Sequence, residues 1–159
     1  MKPTELPRPR LADPVQFLAF GFGSGCARRA PGTFGTVVAV ALYLPIARLP
    51  LEAYLAVLVL AGLLGIWLCG EASRRLDVHD HPGIVWDEIV GYLVTMIGVP
   101  FGLGWMLAGF VLFRIFDIWK PWPIGWLDRR VSGGLGIMID DILAGGAACI
   151  CLHVAARLM

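Results

Sequence analysis

IVGYLVTMIGVPFGLGWMLAGFVLF, residues 89 to 113, is a run of twenty-five residues without a charge. It can be read in two ways. One continuous helix would hold Asp87 and Asp117, just beyond its ends, about 45 Å apart at 1.5 Å per residue and on opposite sides of a bilayer. A helical hairpin reversing at VPFGLG (99 to 104) would return both carboxylates to one side. Pro100, Gly102 and Gly104 crowd into five residues, and helix breakers at that density predict the hairpin.

The basic residues lead to the same reading independently. Lys and Arg accumulate on the cytoplasmic side of membrane proteins. Arg28/Arg29, Arg74/Arg75 and Arg114/Lys120/Arg129/Arg130 can share that side only if the chain reverses at 99 to 104. Arg48 then stands alone on the far side ahead of the C-terminal helix.

Composition sets the class. Of 159 residues, 58% are hydrophobic and 16% charged, with a mean hydropathy of +0.76; soluble domains carry about a quarter charged residues. The expected fold is all-α: a polytopic helical membrane protein with about five short or broken hydrophobic helices. A formal charge of +1 supplies no broad basic field, so nucleic acid is not an expected partner. Residues 1 to 16, with four prolines and charges of both signs, read as a cytoplasmic tail rather than a removable leader. Residues 17 to 159 read as a single membrane-embedded domain.

Helices are expected over Val37 to Leu49, interrupted by Pro45, and over Ala53 to Gly70, whose eighteen uncharged residues sit near the lower limit for a span. A polar stretch follows at 71 to 83. The last helix, about Ile137 to Arg157, would carry Asp140 and Asp141 in its first turns. Cys26, Cys69, Cys149 and Cys151 have neither zinc nor redox spacing and read as structural thiols.

Five of the twelve acidic residues fall in three places: Asp87 with Glu88, Asp117, and Asp140 with Asp141. Carboxylates amid apolar residues are costly unless a cation or a function keeps them there. The hairpin brings all three places to one face, where clustered hard oxygen donors suit Mg²⁺. Helix capping or pairing with Arg is the competing explanation for each acid alone. Arg114, Asp117 and Lys120 recur at three-residue steps, two cations around one anion, an arrangement suited to a phosphate beside a metal. His79 and Asp80, in the loop before Asp87, are candidates for ordering a water or protonating a leaving alcohol; a solvated loop is the alternative.

The loop Gly21 to Thr36 offers Ser24 and Thr33 with backbone N–H groups ahead of a helix, a setting that favours anions. Trp119, Trp122 and Trp126 read as interfacial anchors. No GxSxG elbow occurs, and Cys26 lacks the Cys-x5-Arg loop of phosphocysteine enzymes. Water activated by a metal ion is the economical nucleophile, with an aspartate nucleophile open.

With these segments assembled, GFGSG with APGTFGT, VHDHPGIVWDEIVG, FRIFDIWKPWPIGWLDRR and GGLGIMIDDILAG, the chain resembles the phosphatidylglycerophosphatase A family from about Phe20 to Gly146. The resemblance implies a bacterial inner-membrane lipid phosphatase with its site facing the cytoplasm. Its reaction would be Mg²⁺-dependent removal of the terminal phosphate of phosphatidylglycerophosphate, giving phosphatidylglycerol in phospholipid biosynthesis. Matched motifs carry over His79, Asp80, Asp87, Glu88, Arg114, Asp117, Lys120, Asp140 and Asp141. The expected roles are metal binding for Asp87, Glu88, Asp117, Asp140 and Asp141, and phosphate binding for Arg114, Lys120, Ser24 and Thr33. His79, Asp80 and Asp117 are the expected catalytic residues. Arg28 and Arg29 depart from the family's usual loop and are expected to touch anionic lipid. A phosphatase for another phospholipid and a cation transporter are the alternatives; a transporter's acids should lie at mid-depth, not at helix ends.

Overall fold

The chain reverses where the breakers stand. In the computed structural model, which describes residues 6–79 and 81–158, seven α-helices follow one another. They are α1 (Pro14–Ala19), α2 (Pro31–Ile46), α3 (Leu51–Leu76), α4 (Trp86–Thr95), α5 (Leu103–Trp119), α6 (Ile124–Asp128) and α7 (Gly133–Leu158), with a 3-10 turn at Ser24–Cys26. No strand occurs among the described residues. The five hydrophobic helices expected are α2, α3, α4, α5 and α7. Between α4 and α5, Gly98 takes φ +65°, a left-handed turn that the missing Cβ allows.

α4 occupies the centre. At ten residues it is about 15 Å long, half the thickness of a hydrocarbon core, and eight of its residues are buried among α2, α3, α5 and α7. Burial on all sides explains its apolar sequence without a span. Neighbours satisfy its polar groups: Trp86 Nε1 donates to Ala61 O (3.0 Å), Tyr92 Oη to Met106 O (3.1 Å), and Tyr54 Oη to Leu93 O (2.6 Å). The last of these satisfies one of the carbonyls that a helix end leaves without an intrahelical partner.

α3 and α7, twenty-six residues each, are long and apolar enough to cross a membrane. They occupy different places in the bundle. Half of the most apolar window of α7 is buried, against 22% for α3, so α7 threads the middle while α3 turns Val59, Leu60, Leu63 and Trp67 outward. An outward apolar face of this kind suits lipid rather than water.

Several boundaries differ from the sequence expectation. α2 starts at Pro31, which favours the first helical turn, and so draws Thr33 and Thr36 into the helix; Thr36 Oγ1 donates back to Gly32 O (2.9 Å). α3 runs through the polar stretch to Leu76 because Glu71 pairs with Arg74 and Arg75, both at 2.7 Å. Asp77 then caps it in a left-handed conformation. α1 lies partly within the expected tail: Asp13 caps it by accepting from Val15 N (3.0 Å). Arg75 also holds Asp13 at 2.7 Å, and that hydrogen bond keeps the Asp13 carboxyl below its usual range. All four cysteines are free thiols, and the Sγ of buried Cys69 lies 3.8 Å from Met138 Sδ.

Candidate active site

Two helices carry the acids to one point. Asp87 and Glu88 sit in the first turn of α4, where the positive end of the helix dipole favours carboxylates. Asp140 and Asp141 lie in the third turn of α7. The helices cross at a glycine pair: a Cβ on Gly145 would stand 2.2 Å from Gly91 O, and one on Gly91 would stand 2.8 Å from Asp141 O. Only hydrogen at both positions permits this approach. Asp87, Glu88 and Asp141 each place a carboxylate oxygen within 4.8 Å of the other two.

Adjacent residues on a helix point about 100° apart, so Asp140 and Asp141 serve different partners. Asp141 turns to the α4 acids and also reaches Asp117. Asp140 meets Lys120 Nζ at 2.5 Å, and Lys120 also donates to Asp128 at 3.0 Å. Lys120 caps α5 in a left-handed conformation, which turns the chain into α6 and brings Asp128 round. Burial opposes charge on this ammonium, but the hydrogen bonds and charges of Asp140 and Asp128 outweigh it and hold Lys120 above the usual lysine range.

Arg114, from α5, hydrogen-bonds Asp117 one turn later and stands 3.8 Å from Glu88. These groups line a cavity of about 250 Å³ with Asp87, Glu88, Arg114, Asp117, Lys120, Asp140 and Asp141 on its walls and the start of α2 at its rim. Asp87 and Asp117 therefore face the same space, as the hairpin requires. Gly32 leaves room there, since a Cβ on it would lie 2.1 Å from Glu88 Oε1 and 3.0 Å from Arg114 Nη1.

The donor set fits a hard divalent cation. Four carboxylates, Asp87, Glu88, Asp117 and Asp141, line the cavity with two cations among the described residues, Arg114, which pairs with Asp117, and Lys120, which pairs with Asp140 and Asp128. Carboxylates so close repel one another, and a divalent cation among them relieves that repulsion. Glu88 Oε2, Asp140 Oδ1 and Asp141 Oδ2 are buried with no hydrogen-bond partner among the described residues, and such atoms carry a desolvation cost that a cation removes. The spacing of the trio is on the scale of two Mg–O bonds of about 2.1 Å.

Other expected residues lie elsewhere. His79 is exposed in the turn after α3 and is absent from the cavity wall. Asp80 lies outside the described residues. Ser24, in the 3-10 turn, has a buried Oγ with no hydrogen-bond partner among the described residues, and neither it nor Thr33 lines the cavity. His81 is structural: its Nδ1 accepts from Gly83 N (3.0 Å) and its Nε2 meets Pro7 O (3.1 Å), clamping the N-terminal segment to the loop. Two contributors were missed in the sequence. Gly32 carried no signal beyond a glycine near a helix start, whereas Asp128 could have been suspected as an acid eight residues from Lys120.

The model of the phosphatidylglycerophosphatase A family matches residues 17–156. A phosphatidylglycerophosphatase A of Escherichia coli is 46% identical over 139 residues, covering 87% of this chain and 81% of the relative. One from Haemophilus influenzae is 43% identical over 142 residues, covering 88% and 87%. A Bacteroides thetaiotaomicron relative, which carries the provisional name phosphatidylinositol-3-phosphatase, is 39% identical over 149 residues, covering 85% and 89%. No solved structure matches the chain.

Proposed function

Because this chain belongs to the phosphatidylglycerophosphatase A family, we propose that it hydrolyses the terminal phosphate of phosphatidylglycerophosphate to phosphatidylglycerol and inorganic phosphate. The reaction depends on Mg²⁺ and serves phospholipid biosynthesis at the bacterial inner membrane, with the site facing the cytoplasm. One observation carries the reading: a trio of carboxylates, Asp87 and Asp141 buried and Glu88 half-buried, within 4.8 Å of one another, sharing a 250 Å³ cavity with Arg114 and Lys120. A phosphate monoester needs that pairing of hard oxygen donors and cations.

Asp87, Glu88 and Asp141 would hold the ion; Asp117 lines the same cavity, and Asp140 stays with Lys120. When bound, the ion neutralises charge on the phosphoryl oxygens as a Lewis acid. Arg114 binds the phosphate by exchanging part of its contact with Asp117 for phosphate oxygens, and its fork geometry suits that role. Lys120, also on the cavity wall, supplies a second positive charge. Water adds to phosphorus and gives up a proton, the bond to the glycerol oxygen breaks, and that oxygen takes a proton, so one group accepts the first proton and delivers it to the leaving oxygen. Asp117 is assigned the proton transfer in place of His79, because it lines the cavity and His79 does not.

Purified protein in detergent should release phosphate from phosphatidylglycerophosphate with Mg²⁺ present, and chelation should abolish release. Asp141→Asn should lose at least about 10²-fold, since even partners one layer removed from a metal are worth 10- to 100-fold. Undiminished release in chelator would refute the metal role. A preference for phosphatidylinositol 3-phosphate over phosphatidylglycerophosphate would move the substrate assignment to the headgroup named for the Bacteroides relative.

A further inference from the structure

The acidic cavity accounts for a headgroup and leaves the acyl chains of a lipid unplaced. A second cavity, about 420 Å³, runs along the outer face of α5 and is lined by Phe110, Val111, Arg114, Ile115, Ile118 and Trp119. Its walls are apolar apart from Arg114. Arg114 and Ile118 also line the acidic cavity, so the two spaces share a wall at one cation and one isoleucine. Val111, Ile115 and Ile118 recur at helical spacing and are exposed. Nothing in the bundle covers this face among the described residues, and the face from Phe110 to Trp119 is about 13 Å long at 1.5 Å per residue.

We propose that this α5 groove seats one acyl chain of the lipid phosphate whose headgroup occupies the acidic cavity, with Arg114 marking the junction between the two. The inference rests on the lipid-phosphatase reading above. Charge complementarity selects the occupant. An anionic headgroup on the Arg114 guanidinium fixes where the lipid's polar part ends. Beyond it, towards Phe110 and Val111, only apolar side chains continue, and a hydrocarbon chain packs against them as it packs against its neighbours in a bilayer. A peptide strand or helix in the same place would leave polar backbone groups without partners on these walls. Ile118, common to both spaces, is the threshold that the glycerol portion crosses. Binding energy from the chain, remote from the reacting phosphorus, then helps hold the monoester in the cavity.

The test fills the groove without touching the acids. Val111→Trp and Ile115→Trp change exposed positions that do not line the acidic cavity. Initial rates of phosphate release are compared for dioleoyl and dihexanoyl phosphatidylglycerophosphate in mixed micelles. The expected result is a rise of about tenfold in KM for the dioleoyl lipid, with kcat/KM for the dihexanoyl lipid within twofold of the unsubstituted protein. Equal loss on both lipids, or no loss on either, would overturn the groove. A second arm does not depend on turnover: a dioleoyl-length lipid phosphate with a diazirine in its acyl chain should crosslink to residues 110–119. Phosphatidylcholine bearing the same chain should label that segment several-fold less. Equal labelling by the two lipids would also overturn the proposal. An unsubstituted protein inactive on every lipid phosphate would instead refute the phosphatase reading, leaving the crosslinking arm to decide the groove.

Discussion

Gly145→Ala should cripple the enzyme while leaving it folded, and the neighbouring Gly146→Ala should leave both activity and fold intact. A Cβ at position 145 would stand 2.2 Å from Gly91 O, where ordinary contact begins at 3.4 Å, so α4 and α7 must part locally by about 1.2 Å. The atom in the way is backbone and cannot rotate aside. Overpacking of this kind costs about 1–3 kcal/mol, while alanine regains about 1 kcal/mol of helix propensity over glycine. The net loss is about 0–2 kcal/mol, within the margin of a stable domain. The acids have no such margin, because Glu88 and Asp141 lie on the two helices being separated, within one turn of the crossing. A misplacement of about 1 Å in a catalytic constellation is worth about 10²-fold in rate. At position 146 a Cβ meets nothing within 4 Å, so that variant keeps the propensity gain alone. Phosphate release and thermal unfolding in detergent, measured on both variants, separate the two effects. Gly145→Ala with undiminished activity, or Gly146→Ala with an equal loss, would refute the claim that the glycine crossing sets the spacing of the carboxylate trio.

Three further outcomes follow from the cavity walls. Gly32→Ala places a Cβ 2.1 Å from Glu88 Oε1; it should raise the Mg²⁺ concentration needed for half-maximal activity severalfold with little change in unfolding temperature, and an unchanged Mg²⁺ titration would remove Gly32 from the site. Lys120→Ala strips Asp140 and Asp128 of their shared cation and should cost about 10²-fold in kcat/KM, the scale for one electrostatic donor at a phosphoryl or oxyanion site, whereas retained activity would assign Lys120 to folding alone. His79→Ala, at an exposed position away from the cavity wall, should stay within twofold of full activity, and a drop of 10²-fold would show that its loop closes over the substrate.

Much of the architecture could be read along the chain because its causes are local. Pro100, Gly102 and Gly104 break a helix whatever surrounds them, and an isolated carboxylate in an apolar run is costly in any fold. The hairpin, and the gathering of Asp87, Glu88, Asp117, Asp140 and Asp141 around one cavity, were legible for those reasons. Helix ends were read less well. Whether α3 stops at Gly70 or continues depends on Glu71 finding Arg74 and Arg75, and the start of α2 depends on Pro31 in a first turn.

What the amino-acid order determined by itself was a helical, lipid-compatible chain with its acids and cations gathered at one end, since hydropathy, helix breaking and charge cost act residue by residue. Which acids meet was decided only in three dimensions. Asp140 and Asp141 are neighbours in sequence, yet one is neutralised by Lys120 and the other joins Asp87 and Glu88. That division depends on the rotation of α7 about its axis and on how closely Gly145 lets it approach Gly91. His79 shows the same dependence: eight residues from Asp87 in the chain, it stands exposed on a turn and does not line the cavity. A side chain's position along the chain fixes its chemistry, but its direction is set by the packing of helices distant in sequence.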